Sequence, residues 1–377
     1  MKITRIETLI VDIPLIRPHK LSMVSITENS SVIVRIHTDT GVIGLGEATA
    51  IGGPSWAAES VETMKTVIDL YLAPALIGTD PSRPADWLAV AARVRGNEFA
   101  KSAVEMALMD ATARAMDVPL HALLGGAVRD SIRCAWGVAT GDSASDLAEA
   151  QRLADEGTYS IFKVKIGRGD PSRDLDRIAA MCAALGDRAE VRVDVNQAWD
   201  LRTARRWVPA LAEAGCALIE QPVGARDLRG MVALQALTRA PIMADESAMT
   251  DHDLLDLIRL GGTDAFAIKV AKCGGLRAAR RMAEMAICAG ITPYGGTMLE
   301  GVIGTAASLH LFCAIEKMPL GCELFGPDLA TDRITRESLT MADGMLHLND
   351  GPGLGVTIDE AKLARYVRRE TRARGAA

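Results

Sequence analysis

Three acidic residues stand at the ends of three successive β-rich runs of the chain. They are Asp194 in RVDVNQ, Glu220 in LIEQP and Asp245 in MADES. If these runs are neighbouring parallel strands, about 5 Å apart, their terminal carboxylates converge on one spot. Ionised carboxylates that close repel one another unless a cation lies between them, and an all-oxygen ligand set favours a hard ion, Mg²⁺ or Mn²⁺. The alternative, in which each acid caps the helix that follows, explains one acid well but three at matched depth poorly, so the sequence predicts a metal centre.

Two lysines lie two residues apart in the apolar run YSIFKVKIG, and a third ends a later run. Lys163 and Lys165 share one face of a strand, and Lys269 follows FAI. In an exposed edge strand such lysines would only guard against aggregation, but in a central strand a buried ammonium group needs a compensating partner. We expect the lysines to lie on both sides of the carboxylate trio, with a substrate carboxylate between them. Crowded cations and partial desolvation should lower a lysine pKa toward neutrality, which suits a general acid or base.

The elements that would position these residues repeat along the chain. Eight short β-rich runs, each followed by an amphipathic helix, can be counted between residues 126 and 326. The polar residues at their ends are 24 to 29 residues apart from Lys165 to Lys269, and Glu323 follows 54 residues later, which is two further units. This repeat predicts an α/β fold, a (β/α)8 TIM-type barrel. A doubly wound open sheet would instead spread the polar strand ends along a line, away from a common mouth.

The parts of the chain before and after the barrel have a different pattern. Residues 1–125 begin with alternating strands around a DTG turn and continue with helices whose apolar residues recur every three or four positions. This predicts an N-terminal α+β capping domain. Residues 327–377 hold a short strand, a Gly-Pro loop and a last helix. We expect this C-terminal segment to return to the capping domain and complete it.

Two glycine-containing stretches of the capping domain could belong to a site. GLGE, residues 44–47, is a lone GxG with no helix after it, so it predicts a tight turn and not a dinucleotide site. AIGGPSW, residues 50–56, is a Gly-Pro loop tipped by Trp56. Its composition fits either a mobile flap over a pocket or a plain turn.

The overall composition excludes several classes of function. The 377-residue chain has a formal net charge of -6 and a pI near 5.6, which gives no basic field to attract nucleic acid or an anionic membrane. Its seven cysteines form no CxxC pair, as is typical of free thiols in a reducing cytosol. No apolar run approaches the roughly 20 residues of a membrane span, and the N-terminus lacks a signal peptide's apolar core. We expect a cytoplasmic protein.

The histidines exclude two further kinds of catalytic site. None of the six ends one of the predicted barrel strands. We therefore expect no Ser-His-Asp or Cys-His arrangement and no zinc cluster at the barrel mouth.

Taken together, the motifs of the predicted strand ends resemble one known family. KVKIG, DVNQAW, IEQP, ADES, IKVAKCGG, YGGTMLEG and ELFGP, in this order and spacing, resemble the enolase superfamily and, within it, the muconate-lactonizing subgroup. The resemblance extends through RPHKL (17–21), GEATAIGG (46–53), AKSAVEMALMD (100–110) and PGLG (352–355). It implies a capped barrel, a divalent metal cofactor, Mn²⁺ or Mg²⁺, and a homo-oligomer, often an octamer.

The resemblance also implies a role for each residue that matches a family motif. Asp194, Glu220 and Asp245 correspond to the metal ligands. Lys165 corresponds to the acid/base catalyst, assisted by the charge of Lys163, and Lys269 lies on the opposite face of the substrate. Glu323 belongs with the catalytic residues. Asn196 and Glu246 correspond to polar residues near the metal and the substrate. Ile51, Trp56 and Phe325 are apolar residues that shape the pocket.

The implied reaction is the reversible cycloisomerisation of a small dicarboxylate, cis,cis-muconate, to muconolactone, in bacterial degradation of aromatic compounds through catechol. One carboxylate adds to the conjugated double bond, and charge moves into the other as an enediolate stabilised by the metal and Lys163. Lys165 then donates a proton to carbon. Chloromuconate is the alternative substrate, because one small group in an apolar pocket changes the binding energy by only about 1–3 kcal/mol.

Other activities of the superfamily, and one role without catalysis, compete with this hypothesis. Mandelate-type racemases and sugar-acid dehydratases commonly carry a histidine after strand seven, where this chain has YGGTMLEG. Dipeptide epimerases typically carry D-x-D at strand eight, where this chain has GCELFG. o-Succinylbenzoate synthase and N-succinylamino acid racemase share the lysine pair and stay open, as does a non-catalytic carboxylate-binding barrel.

Overall fold

The computed structural model describes residues 1–369 and begins with a three-stranded antiparallel sheet in the order β1-β2-β3. Buried and more exposed residues alternate along the first strand from Val11 to Leu15, so one face of the sheet packs on the capping helices. The strands are β1 Ile3–Lys20, β2 Ser25–Thr38 and β3 Ile43–Thr49.

Helices cover this sheet. The first of them begins with a capping box in which Ser60 and Thr63 satisfy each other's backbone N–H groups. The last and longest is buried over most of its length and packs against β3. The helices are α1 Val61–Val67, a π-helical turn Ile68–Leu72, α2 Ala73–Leu76, α3 Pro84–Ala91 and α4 Glu98–Ala115.

The GLGE stretch lies inside β3, so the tight turn predicted for it is wrong. A Cβ atom on Gly44 would lie 2.1 Å from the Ala107 carbonyl oxygen, and one on Gly46 would lie 1.9 Å from the Ala103 carbonyl oxygen. The glycines are required because the backbone of β3 touches α4 directly.

Seven parallel strands in sequential order follow the capping domain. The strand β4 Ser131–Arg133 leads into them. Their residues are almost all buried, as expected for strands covered on both faces. They are β5 Trp136–Val138, β6 Ile161–Lys165, β7 Glu190–Asp194, β8 Leu218–Glu220, β9 Ile242–Ala244, β10 Ala265–Ile268 and β11 Thr292–Gly295.

The eighth β-rich run closes this sheet into the predicted barrel. Cys322 forms parallel bridges to Gly295 at the end of β11 and to Cys134 just before β5. The amide of Glu323 donates to the Gly295 carbonyl at 2.8 Å, and the amide of Ala135 donates to the Cys322 carbonyl at 2.7 Å. The expected (β/α)8 barrel is confirmed, with its last strand reduced to a short bridging segment.

Helices lie between the barrel strands, and their N-caps decide one of the open alternatives. Asp142, Asp170, Asp200, Asp227 and Thr250 accept backbone N–H groups at the starts of five of them. The acids at the strand ends are therefore not the helix caps. A 3₁₀-helix, Leu120–Leu124, precedes the barrel. The helices after the barrel strands are α5 Ser143–Asp155, α6 Pro171–Leu185, the 3₁₀-helix Gly186–Arg188, α7 Leu201–Glu213, α8 Leu228–Gln235, α9 Asp251–Arg259, α10 Val270–Cys273, α11 Leu276–Cys288 and α12 Val302–Ala314.

The C-terminal part of the chain returns to the capping domain, as expected. Arg368 donates from two guanidinium nitrogens to the Asp12 carboxylate at 2.6 Å each, and Val367 bridges to Val11. The segment also pairs with β4 in a small antiparallel sheet. Its elements are α13 Gly326–Leu329, β12 Thr340–Ala342, β13 Met345–His347 and α14 Glu360–Tyr366. The domain boundaries after residues 125 and 326 stay predictions.

Side chains of the capping sheet hold the loop that follows β11. Glu47 accepts the amides of Gly301 and Gly304, both at 2.8 Å, at the start of α12. The Thr49 hydroxyl donates to the Met298 carbonyl at 2.6 Å, and the Asn29 amide donates to the Leu299 carbonyl. The cap and the barrel mouth are therefore joined by directional bonds as well as by apolar packing.

Within residues 1–369, no helix combines the length and the apolar character needed to cross a membrane.

The contact between β3 and α4 makes a prediction about stability. Gly46→Ala should destabilise the protein by about 2–4 kcal/mol, because the added methyl group would overlap the α4 backbone. Urea unfolding followed by circular dichroism measures the change. Gly169→Ala is the matched control, since nothing lies within 4 Å of its Cβ position. Equal stability of the two variants would contradict this packing.

Candidate functional site

The predicted acids and lysines meet at the carboxyl ends of the barrel strands. Lys165, Asp194 and Glu220 are register partners on β6, β7 and β8, and Asp245 immediately follows β9. The three carboxylates are at most 1% exposed. Side chains at the same level of adjacent strands project to the same face of the sheet. The register therefore brings together residues that are far apart in sequence.

Each of these carboxylates contacts an ammonium group. Lys165 Nζ lies 2.5 Å from Asp194 Oδ2. Lys163 Nζ lies 2.7 Å from Glu220 Oε2 and 3.8 Å from Asp194, and it also contacts Glu323. On the other side, Lys269 Nζ lies 2.7 Å from Asp245 Oδ2. Charges of both signs thus alternate across the mouth, and this ordering is what keeps them buried.

The expectation that crowding lowers a lysine pKa is wrong for two of the lysines. Burial acts to lower the pKa of Lys163, but Glu220 and Glu323 outweigh it and raise that pKa well above its usual value. Burial is likewise outweighed at Lys269, where Asp245 and Glu220 raise the pKa. The reason is that carboxylates, not other lysines, are the nearest charges. Both side chains are therefore held as cations.

The same pairing acts on the acids. Burial raises the pKa of Asp194, but Lys165 and Lys163 outweigh burial, so this pKa is lowered. At Asp245, burial is outweighed by Lys269 and Lys272, so the pKa of this carboxylate is lowered as well. These two groups are carboxylates at neutral pH, as metal ligands must be.

Three oxygen atoms of the cluster are buried without a hydrogen-bond partner. They are Glu220 Oε1, Asn196 Oδ1 and Glu246 Oε2. Burial and the charge of Asp194 raise the pKa of Glu220 well above its usual value, and burial with Asp245 raises the pKa of Glu246 to about 7. Buried acceptors without donors, and carboxylates crowded by carboxylates, are both stabilised by a divalent cation. The donor set fits a hard metal ion.

This cluster is not arranged as a ready-made coordination shell. In the described part of the chain, no three Asp, Glu, His or Cys side chains are grouped as a metal site. The lysine ammonium groups instead contact the carboxylate oxygens that a metal ion would coordinate. A metal ion would have to take over some of these contacts, and the metal centre stays a prediction.

A small cavity lies above the charged cluster, between the barrel and the capping domain. Its lining includes all three apolar residues expected to shape the pocket, and the Trp56 ring lies over Lys269 Nζ at 4.3 Å from the ring centre. Its volume is about 20 Å³. The lining residues are His19, Leu21, Ile51, Trp56, Gly137, Lys163, Lys165, Lys269, Thr297, Leu299, Glu323 and Phe325. We call this the central cavity.

His19 is a member of this cavity that sequence reasoning missed. It ends no barrel strand, but β1 of the capping sheet brings it over the mouth, where its ring lies 5.9 Å from that of Phe325. Burial, with Lys165 and Arg17, lowers its pKa well below the usual value. A neutral imidazole with a buried, unpartnered Nδ1 therefore lines the cavity. Because no histidine ends a predicted barrel strand, the strand pattern offered no reason to expect His19 at the mouth.

Two further polar residues support the acids and were also missed. Lys272, fully buried one turn after Lys269, donates to both the backbone carbonyl and Oδ1 of Asp245 at 2.7 Å. The Gln221 side-chain oxygen accepts the amides of Asp245 and Ser247, at 2.9 and 3.0 Å, which joins the ends of β8 and β9. The only sequence signal was their presence in the motifs IEQP and IKVAKCGG.

Two family models match the chain, one on each side of residue 126. Residues 5–125 match the N-terminal domain of mandelate racemase / muconate lactonizing enzyme, and residues 145–362 match the enolase C-terminal domain-like model. The chain belongs to the mandelate racemase / muconate lactonizing enzyme family. This family is part of the enolase superfamily and depends on divalent metal.

Full-length relatives within the family carry two activity names. Muconate cycloisomerase 1 of Pseudomonas putida is 46% identical over 374 residues, which cover 97% of this chain and 99% of that protein. A chloromuconate cycloisomerase of Cupriavidus necator is 43% identical over 369 residues, which cover 98% and 100%. The crystal structure of a muconate lactonizing enzyme from Pseudomonas fluorescens, complexed with muconolactone, has a TM-score of 0.96 at 48% identity and covers 97% of this chain and 99% of that one.

The unpartnered oxygen of Glu220 makes a prediction about metal binding. Glu220→Gln should raise the dissociation constant for Mn²⁺ at least about tenfold, because it removes a charged ligand from the cluster. Titration of free Mn²⁺ by electron paramagnetic resonance measures this without turnover. Glu213→Gln, an exposed position at the end of α7, is the control. An unchanged Mn²⁺ dissociation constant in Glu220→Gln would show that Glu220 is not a metal ligand.

Proposed function

We propose that this protein is a metal-dependent cycloisomerase that converts cis,cis-muconate to muconolactone. The observation that carries the proposal is the placement of Lys165 and Lys269 on opposite sides of a carboxylate cluster, below a small cavity with charged and apolar walls. The apolar walls of this cavity limit the access of water, and its cations match the two carboxylates of the substrate. Full-length relatives that carry this activity name support the assignment.

The reaction needs one new C–O bond and one proton. A carboxylate oxygen of the substrate attacks the conjugated diene, and the electron pair of the double bond moves to the carbon beside the other carboxylate. Lys165 donates its proton to that carbon and recovers one from water, so the reaction needs no oxidant or reductant. Lys163, held cationic by Glu220 and Glu323, stabilises the negative charge that develops.

Asp194, Glu220 and Asp245 would hold the metal ion, with Asn196 and Glu246 beside it. A bound Mn²⁺ or Mg²⁺ would supply Lewis-acid stabilisation of charge on a substrate carboxylate. His19 and Thr297 line the other side of the central cavity, where their polar atoms can orient a carboxylate. The walls formed by Ile51, Trp56 and Phe325 exclude water from the protonated carbon.

Chloromuconate cycloisomerase is the second candidate. Relatives with that name are nearly as similar to the chain. The added chlorine would contact the apolar wall of Ile51, Trp56 and Phe325, where one small group is worth about 1–3 kcal/mol. Steady-state rates with muconate and with 2- and 3-chloromuconate, measured side by side, decide between the two substrates.

We also propose that the protein works in the bacterial cytoplasm as a homo-oligomer. All seven cysteines are free thiols, as is usual in a reducing compartment. The capping domain exposes Leu70, Tyr71 and Leu88, which are apolar side chains that a second copy could cover.

The proposed activity predicts a loss of the ultraviolet absorbance of the diene when muconate is added. The loss should require a divalent ion, stop on addition of a chelator, and disappear in Lys165→Ala while Mn²⁺ still binds. The physical reason is that the variant lacks the proton donor but keeps the carboxylates.

Three results would contradict the proposal, and each would point to a different alternative. Unimpaired turnover by Lys165→Ala would reject the assigned proton donor. Turnover of the o-succinylbenzoate precursor without turnover of muconate would favour the synthase. Binding of dicarboxylates without turnover of either would favour a carboxylate-binding barrel.

A further inference from the structure

A second cavity lies next to the central cavity and opens beside Lys165. Its volume is about 330 Å³, and Leu21 and Lys165 line both cavities, so these two side chains form the wall between them. The central cavity, at about 20 Å³, has room for about one water molecule. Sites that hold small organic ligands measure roughly 300–1,000 Å³. The adjoining cavity is thus the space beside Lys165 that is large enough for a small dicarboxylate.

The charge of this second cavity favours an anion. Lys20, Arg168, Arg177 and Lys165 line it. In residues 1–369, neither Lys20 nor Arg168 has a carboxylate within salt-bridge distance. The pKa of Asp142 is lowered mainly by hydrogen bonds from Ser145, and the charge of Lys20 adds a smaller effect. A concave site with unpaired cations raises the local concentration of anions.

Two carboxylates also line the cavity, but both have partners in the protein. Asp146 accepts the amide and hydroxyl of Thr140 at 2.9 and 2.6 Å, and it lies 3.7 Å from Arg177. Asp174 accepts the amide of Gly167 at 2.9 Å. The lining therefore has four cationic side chains and two carboxylates. The excess positive charge comes from Lys20 and Arg168, which have no ion-pair partner within residues 1–369.

The cations are tied to the ends of barrel strands that form the site. The amide of Lys20 donates to the Ala139 carbonyl, just after β5, at 2.8 Å. Arg177 donates to the backbone carbonyl of Lys165 at 2.6 Å, and its Nε is buried without a hydrogen-bond partner. The position of this charge is thus linked directly to that of the proposed proton donor.

We propose that this cavity is a vestibule that binds a small dianionic dicarboxylate before the substrate passes Leu21 and Lys165 into the central cavity. The proposal rests on the proposed function for the identity of the substrate class. Lys20 and Arg168 attract the dianion, and the turn at residues 21–24, which closes with a bond from the Leu21 amide to the Val24 carbonyl at 2.8 Å, is the part of the wall that must move. The vestibule affects the rate at which the substrate reaches the central cavity. The proton transfer itself depends on Lys165.

Stopped-flow binding of adipate, a saturated six-carbon dicarboxylate that cannot cyclise, tests the vestibule in the metal-loaded protein. Tryptophan fluorescence reports the binding, since Trp56 lines the central cavity. At about 0.01 M ionic strength the association rate constant of Lys20→Gln/Arg168→Gln should fall about tenfold, and at about 0.5 M it should approach that of the unaltered protein. Arg173→Gln, an exposed position on α6 outside the cavity, should change the rate little.

Every outcome of this experiment decides the question. An association rate that is unchanged in the double variant, or that falls equally in Arg173→Gln, would overturn the vestibule and leave only a general surface field. A double variant that loses Mn²⁺ binding would show that the substitutions act on the metal centre, which also overturns it. Since adipate binding needs no turnover, failure of the muconate assay would reject the proposed function without deciding the vestibule.

Discussion

Nine ionisable side chains, eight of them buried and Lys165 partly exposed, lie together where the barrel meets its cap, and they neutralise one another. Five are carboxylates and four are lysines. Removing one partner of a buried ion pair typically costs about 3–5 kcal/mol, because the other charge is left uncompensated. No member of this group can therefore be substituted without affecting its neighbours. The cluster is stable only as an alternating array, and a divalent ion and a dianionic substrate can join such an array with little change of net charge.

The barrel and the cap each supply a different part of this array. Parallel register puts the charged groups of β6, β7 and β8 at one level, so their distances follow from backbone geometry. The cap supplies the apolar lid, with Trp56 over Lys269 and His19 beside Phe325, and it is tied to the barrel by Glu47 at the start of α12. The apolar side chains of the cap limit the access of water to the charged cluster below them. This strengthens each electrostatic contact within the site.

Much of this architecture could be predicted from the sequence because it follows from spacing. Lys165, Asp194 and Glu220 end successive strands, and the repeat of a strand and a helix fixes where such residues meet. His19 could not be found in that way, since it reaches the site through the long strand β1 of another domain. The raised pKa of Lys163 depends on which charge lies nearest in space. Gly46 is required by a contact between β3 and α4 that no local sequence pattern reveals.

Lys165, held against Asp194 at the mouth of the barrel, is the side chain that we propose carries the proton to carbon. Conversion of muconate in D₂O, followed by nuclear magnetic resonance, shows where that proton is delivered. We expect muconolactone with one deuterium, on one face of the carbon beside its carboxylate, and no such product from Lys165→Ala. Deuterium on both faces of that carbon, or a variant that forms the same labelled product at the original rate, would contradict it.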